Sequence, residues 1–108
     1  MQTFTPFMLD LNKKNVIIIG GGKVAERRIF ILLETGANLT VISPEVTENI
    51  QMLSERGRLQ WKKKAFEEDD ILNAFLVVIA TNNPKVNNLV HVIAPEHMLI
   101  NDATDAKR

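Results

Sequence analysis

A chain of 108 residues is the size of one small domain, with enough chain for a single hydrophobic core. Its thirteen basic and thirteen acidic residues cancel, so no general field draws it to nucleic acid or to a membrane surface, and neither is expected as a partner. The absence of cysteine excludes disulfides, thiolate zinc sites and thiol nucleophiles together, and it is compatible with the cytosol.

Residues 1–14 read as a short lead-in whose Phe4, Phe7, Met8, Leu9 and Leu11 can cover one edge of a sheet. Asp10 within this stretch, and the lack of a basic flank before it, make it a poor signal peptide. Asn15–Ile19 is a short apolar run, the pattern of a strand buried on both faces. The next residues, Gly20-Gly21-Gly22-Lys23-Val24-Ala25, fit G-x-G-x-x-A with Gly20, Gly22 and Ala25 at the three key places. In such a turn the first glycine permits the tight bend, the second lets backbone approach a pyrophosphate, and the small third residue lets the helix pack on the strand. The helix that follows, Lys23 to Thr35, groups Ala25, Ile29, Leu32 and Leu33 on one face and ends at Gly36. Its N-terminus aims free N–H groups and a partial positive charge at a bound anion. Lys23 either adds its backbone N–H and ammonium group to that site or is a solvated first-turn lysine.

The second strand is Asn38–Ile42. Ser43 and Pro44 read as the N-cap and first residue of a helix over Pro44–Arg56, with Val46, Ile50 and Leu53 inward and Gly57 as its stop. Dinucleotide folds usually carry an acid at the end of this strand to hold the adenosine ribose. Here Ser43-Pro44-Glu45 stands in that place. Ser43 or Glu45 bonds the ribose, Ser43 caps the helix, or Ser43 does both. No Arg or Lys in this stretch awaits a 2′-phosphate, so NAD is favoured over NADP. A short third strand near Leu59–Lys62 runs into Lys62-Lys63-Lys64, either a lure for a polyanionic substrate or a solvated strand end. Trp61 and the methionines read as packing, and Glu67–Asn73 as a helical turn.

The fourth strand, Phe75–Ala80, is the longest apolar run and falls far short of the roughly 20 residues that cross a bilayer; a soluble, cytoplasmic protein is expected. Thr81-Asn82-Asn83 follows it, and Thr81 and Asn82 either bond the second half of a cofactor or form a capped turn. The last helix, Pro84–Ala94, turns Val86, Leu89, Val90 and Ile93 inward, and the fifth strand is Met98–Asn101. Asp102 and Asp105 come next. Either is a candidate general base beside a nicotinamide, or a solvated loop acid. His91 and His97 are too isolated to be metal ligands, and no metal site is expected. Strands alternating with helices imply right-handed crossovers and an α/β, Rossmann-type doubly wound parallel sheet in the order 3-2-1-4-5. Ligands then bind at the carboxyl ends of strands 1 and 4, where the order reverses. A sheet of this kind usually continues with a further helix and strand, so the chain reads as cut short after strand 5.

Four ordered blocks carry a resemblance to one family. Ile18-Ile19-Gly20-Gly21-Gly22-Lys23-Val24-Ala25-Glu26-Arg27-Arg28 resembles the opening of precorrin-2 dehydrogenases, the siroheme-synthase N-terminal family. Leu32 to Pro44, Ala74 to Asn83 with Val86-Asn87, and Leu99-Ile100-Asn101 with an acid beyond are similar as well. The resemblance implies hydride transfer from precorrin-2 to NAD, giving sirohydrochlorin on the way to siroheme; some members also insert ferrous iron. It implies that Lys23, Val24, Pro44 and Glu45 border the cofactor and that Asp105 matches the family's essential aspartate, with Asp102 the nearer rival. It also implies a homodimer for the full-length enzyme. Family members are longer, with a dimerisation segment and a helical C-terminal part absent here, and many carry an acid where Asn82-Asn83 stands. A regulatory module that senses NAD(H) without chemistry is the rival reading, although such modules usually carry an acid where Ser43 stands. A bifunctional dehydrogenase and ferrochelatase is the other.

Overall fold

The computed structural model describes residues 9–105, Asp105 by its backbone alone; Phe4, Phe7 and Met8 lie outside the described residues. Strands and α-helices alternate as β1 (Asn15–Ile19), α1 (Lys23–Leu32), β2 (Asn38–Ile42), α2 (Glu48–Glu55), β3 (Gln60–Lys62), β4 (Leu76–Ile79), α3 (Pro84–Ile93) and β5 (Leu99–Asp102). Every strand pairing is parallel and the order is β3-β2-β1-β4-β5, as the alternation of apolar strands and amphipathic helices predicts.

The lack of polar alternation in β1 has its cause in the two-sided core. Val16 and Ile18 point to one face, with Leu39, Val41 and Val78, and are covered by Ala25, Ile29 and Leu32 of α1 and Ile50 of α2. Ile17 and Ile19 point to the other face, with Ile42, Val77 and Ile79, beneath Val90 of α3 and Ile71. Leu11 of the lead-in is buried in the first of these clusters, whereas Leu9 is exposed. The order in which strands are added reverses between β1 and β4: β1 passes through α1 to β2 on one side, and β4 passes through α3 to β5 on the other. The carboxyl ends of β1 and β4 therefore bound a crevice, the usual ligand position of such a sheet.

Several element ends shift by a residue from expectation, and three boundaries bear on the site. The first helix is α-helical only to Leu32; Leu33–Thr35 tightens into a 3-10 turn in which the Thr35 hydroxyl donates to the Leu32 carbonyl at 2.6 Å, and Gly36 takes the left-handed φ of +79° that ends it. The fifth strand extends to Asp102 and is followed by a 3-10 turn over Ala103–Asp105. The largest correction is to α2. It begins at Glu48, four residues after the expected start at Pro44, and Thr47 is its cap, accepting from the Ile50 N–H at 3.2 Å. Ser43 does not cap it. The Ser43 hydroxyl instead donates to the Glu45 carbonyl at 2.6 Å, and this short turn holds residues 43–46 out of the helix.

Candidate functional site

The three glycines of the first turn serve three different ends. Gly20 sits at φ +119°, a conformation other residues rarely adopt, and a Cβ there would stand 2.5 Å from the Ala80 carbonyl oxygen. Its glycine identity follows from the close approach of β1 to β4. At Gly21 a Cβ would collide with the Glu45 carbonyl oxygen and lie 2.7 Å from Val46 Cγ1; here the β2–α2 loop lies directly on the turn, and the Thr47 N–H donates to the Gly21 carbonyl at 2.9 Å. Around Gly22 a Cβ would meet nothing within 4 Å, and its φ of −91° lies outside the left-handed region that favours glycine. No protein atom requires glycine at this position, so the space it keeps open faces outward.

Gly22 is also the N-cap of α1, and no side chain caps this end. The other two α-helices are capped, α2 by Thr47 and α3 by Asn83, whose Oδ1 accepts from the Lys85 N–H at 3.0 Å. In α1 the first intrahelical bond is Glu26 N–H to the Gly22 carbonyl, so the amides ahead of Glu26 have no acceptor within the helix. Unsatisfied amides and the positive end of the helix dipole, behind a glycine with free space before it, fit a pyrophosphate.

An open cleft of about 470 Å³ lies over this turn, lined by Gly20, Gly21, Gly22, residues 43–47, Ala80, Thr81 and Asn82. It brings together Gly20, Gly22, Ser43, Pro44, Glu45, Thr81 and Asn82 from three loops. Lys23 is exposed and is not among the lining residues, and Val24 faces a neighbouring cavity. Ser43 is buried, and its hydroxyl proton is committed to Glu45 within the loop. Thr81 Oγ1 accepts from the Asn83 N–H at 3.2 Å, so the capped-turn reading of this segment holds alongside its place in the cleft.

Sequence reasoning missed the residues that set this loop. The Trp61 indole N–H donates to the Ser43 carbonyl at 2.9 Å, fixing the end of β2 from the neighbouring strand. Thr47 donates its hydroxyl to Glu26 Oε1 at 2.6 Å, and Asn49 donates to Glu26 Oε2 at 3.2 Å. These two bonds, that from Thr47 foremost, hold the Glu26 carboxyl below its ordinary value of 4.5. A threonine followed at once by an acid was the available signal for a helix start at Thr47, competing with Ser43-Pro44.

The lysine run divides. Lys64 is bound to Asp70 at 2.6 Å and to Glu67 at 2.9 Å, and these bonds, Asp70 first, raise its pKa above 10.5. Lys63 stands over the Trp61 ring. Lys62 is exposed at the end of β3, whose carbonyl accepts from the Ser43 N–H at 3.3 Å. A cation absent from residues 43–47 is thus present one strand away.

A second cavity, of about 500 Å³, adjoins the first. Val24, Arg27, Arg28 and Ile31 of α1 form one wall, Ala103 and Thr104 the other, and Asn82 lines both cavities. Asp102 is a strand residue, not the solvated loop acid of the plain alternative: its Oδ1 accepts from the Thr104 N–H at 3.1 Å and from the Thr104 hydroxyl at 2.6 Å. The backbone of Asp105 lies in the same turn.

Among the described residues, no group of three or more His, Cys, Asp or Glu could hold a metal ion, and no helix is long and apolar enough to cross a membrane.

Comparison with known proteins agrees with this geometry. Residues 7–108 match the family model described as "Putative NAD(P)-binding". The precorrin-2 dehydrogenase of Bacillus subtilis (strain 168) is 38% identical over 102 residues, which are 94% of this chain and 63% of that protein. A siroheme synthase of Actinobacillus pleuropneumoniae serotype 3 is 33% identical over 108 residues, 99% of this chain and 22% of the other. The solved structure of "SirC, precorrin-2 dehydrogenase" superposes with a TM-score of 0.90 at 38% identity, covering 94% of this chain and 50% of that one. The chain thus spans less than two thirds of each of these relatives. The family and the dehydrogenase relatives support NAD as the cofactor, and a regulatory module without chemistry is not favoured. The chain belongs to the precorrin-2 dehydrogenase and siroheme synthase family, and residues 7–108 are its NAD(P)-binding domain.

Proposed function

We propose that this chain is the nucleotide-binding part of an NAD-dependent enzyme that oxidises precorrin-2 to sirohydrochlorin. The observation that carries the reading is Gly22: open space before it, no side-chain cap behind it, and a cleft that reaches the ends of β1, β2 and β4.

Bound NAD supplies a hydride acceptor; the chain supplies position and electrostatics. The α1 amides at and after Gly22 hold the pyrophosphate. Residues 43–45, fixed by Trp61 and packed on Gly21, border the adenosine ribose. Thr81 and Asn82, at the end of β4, would hold the nicotinamide half, and Asn82 also lines the second cavity. Oxidation removes a hydride and a proton from the tetrapyrrole, and Asp105, in the turn that walls the second cavity, takes the proton. Asp102 is the poorer choice, because its carboxylate already binds Thr104. In this reading the full-length enzyme is a homodimer.

The test is a hybrid in which this chain replaces the matching part of the Bacillus subtilis relative. The hybrid should form NADH from precorrin-2 and NAD, and Gly22→Val should abolish it. A hybrid that folds and binds NAD but forms no NADH overturns the reading.

A further inference from the structure

We propose that Arg27 and Arg28 hold carboxylate arms of the substrate, against an apolar wall made by Val24 and Ile31. The inference rests on the reading above, that the adjoining cleft holds NAD and that the substrate is a tetrapyrrole with carboxylate arms.

Helical spacing aligns the four residues. Val24, Arg27, Arg28 and Ile31 stand at i, i+3, i+4 and i+7 and share one stripe of α1. Of these only Val24 also packs against the core, whose buried α1 residues are Ala25, Ile29 and Leu32. The stripe lines a cavity of about 500 Å³ closed on its far side by Ala103 and Thr104. Among the described side chains, which do not include that of Asp105, no carboxylate lies within 4.0 Å of either guanidinium; the ion pairs are those of Lys64. Two planar, permanently charged forks on one wall recognise carboxylates in bidentate fashion. The apolar surface between Val24, Ile31 and Ala103 fits a ring system. Together they match a molecule that is flat and apolar at its centre and anionic at its rim, the chemistry of a polycarboxylate macrocycle. Asn82 lines this cavity and the cofactor cleft alike, so a ring held here faces the nicotinamide half of the cofactor and the turn that carries Asp105.

The test uses uroporphyrin III, a stable tetrapyrrole with carboxylate arms, followed by its own fluorescence, with NAD titrated in parallel. The Arg27→Gln, Arg28→Gln double variant should bind uroporphyrin at least about tenfold more weakly, the usual order for charge-assisted bonds, and NAD unchanged. Arg27→Lys with Arg28→Lys keeps charge without the fork and should fall between. Arg56→Gln with Arg58→Gln removes the same charge from exposed positions at the opposite edge of the sheet and should change neither titration. Uroporphyrin binding that survives the double variant, or falls equally in the Arg56 and Arg58 control, overturns the inference and leaves the NAD reading intact. So does wild-type protein that binds NAD but not uroporphyrin. An equal loss of NAD affinity in the double variant also overturns it, since the arginines would then serve the cofactor. Wild-type protein that binds no NAD overturns the proposed function and this inference with it.

Discussion

The hydroxyl of Thr47 donates to the Glu26 carboxylate at 2.6 Å across 21 residues, and the same threonine caps α2 and binds the Gly21 carbonyl through its N–H. One residue thus joins the first turn of α1 and the start of α2 through its side chain, and the glycine turn through its backbone. Thr47→Val should remove cap and clasp together and lower stability by about 1–2 kcal/mol, with Thr47→Ser restoring most of it; urea denaturation measures both. Because folding holds the Glu26 carboxyl below its ordinary value, the clasp contributes above pH 4.5, and its contribution is lost as the pH falls through the lower folded value. The stability difference between wild type and Glu26→Gln should therefore shrink on acidification from neutrality. A difference that grows on acidification contradicts the assignment.

NAD should bind more tightly than NADP. The loop at the end of β2 carries Glu45 and no cation, so a 2′-phosphate would meet repulsion and no bidentate partner. Lys62 is the nearest exception, one strand away. Calorimetric titration with both cofactors decides the point. Equal or tighter binding of NADP that is lost in Lys62→Gln would show that the neighbouring strand supplies the missing cation.

The two acids after β5 should separate cleanly in a hybrid enzyme that contains this chain. Asp105→Asn keeps the shape and removes the basicity, and should lower turnover by about 10²–10⁴ with NAD affinity unchanged. Asp102→Asn retains an Oδ1 acceptor for Thr104 and should cost about 1 kcal/mol of stability at most, with little effect on turnover. Loss of turnover in Asp102→Asn alone would reverse the assignment.

Much of this architecture was legible because local signals and the global fold agree. The Val and Ile runs of β1 and β4 have no polar residue to turn outward, which requires helices on both faces, and that requirement fixes the strand order within narrow limits. The cleft was legible for the same reason: Gly20, Gly22, Ser43 and Thr81 stand at strand ends that a parallel sheet must bring to one edge. The start of α2 was not. Ser43-Pro44 is a sound local helix start, but Glu45 and Val46 must lie on Gly21, and Trp61 must reach the Ser43 carbonyl; both are tertiary demands from residues more than fifteen positions away. Arg27 and Arg28 stood inside the quoted motif without a reading, because their role depends on the turn after β5, which comes near them only in the folded sheet.

If Gly22 is kept open for a cofactor rather than for the fold, the three glycines separate when NAD titration is set beside thermal unfolding. Gly21→Ala should unfold early, since its Cβ collides with Glu45, and Gly20→Ala should be strained at φ +119°. Gly22→Val should unfold much closer to the wild-type temperature than Gly21→Ala, because nothing lies within 4 Å of its added Cβ, yet bind NAD at least about tenfold more weakly, by more than about 1.4 kcal/mol. A Gly22→Val protein that is equally stable and binds NAD as wild type does would contradict the account.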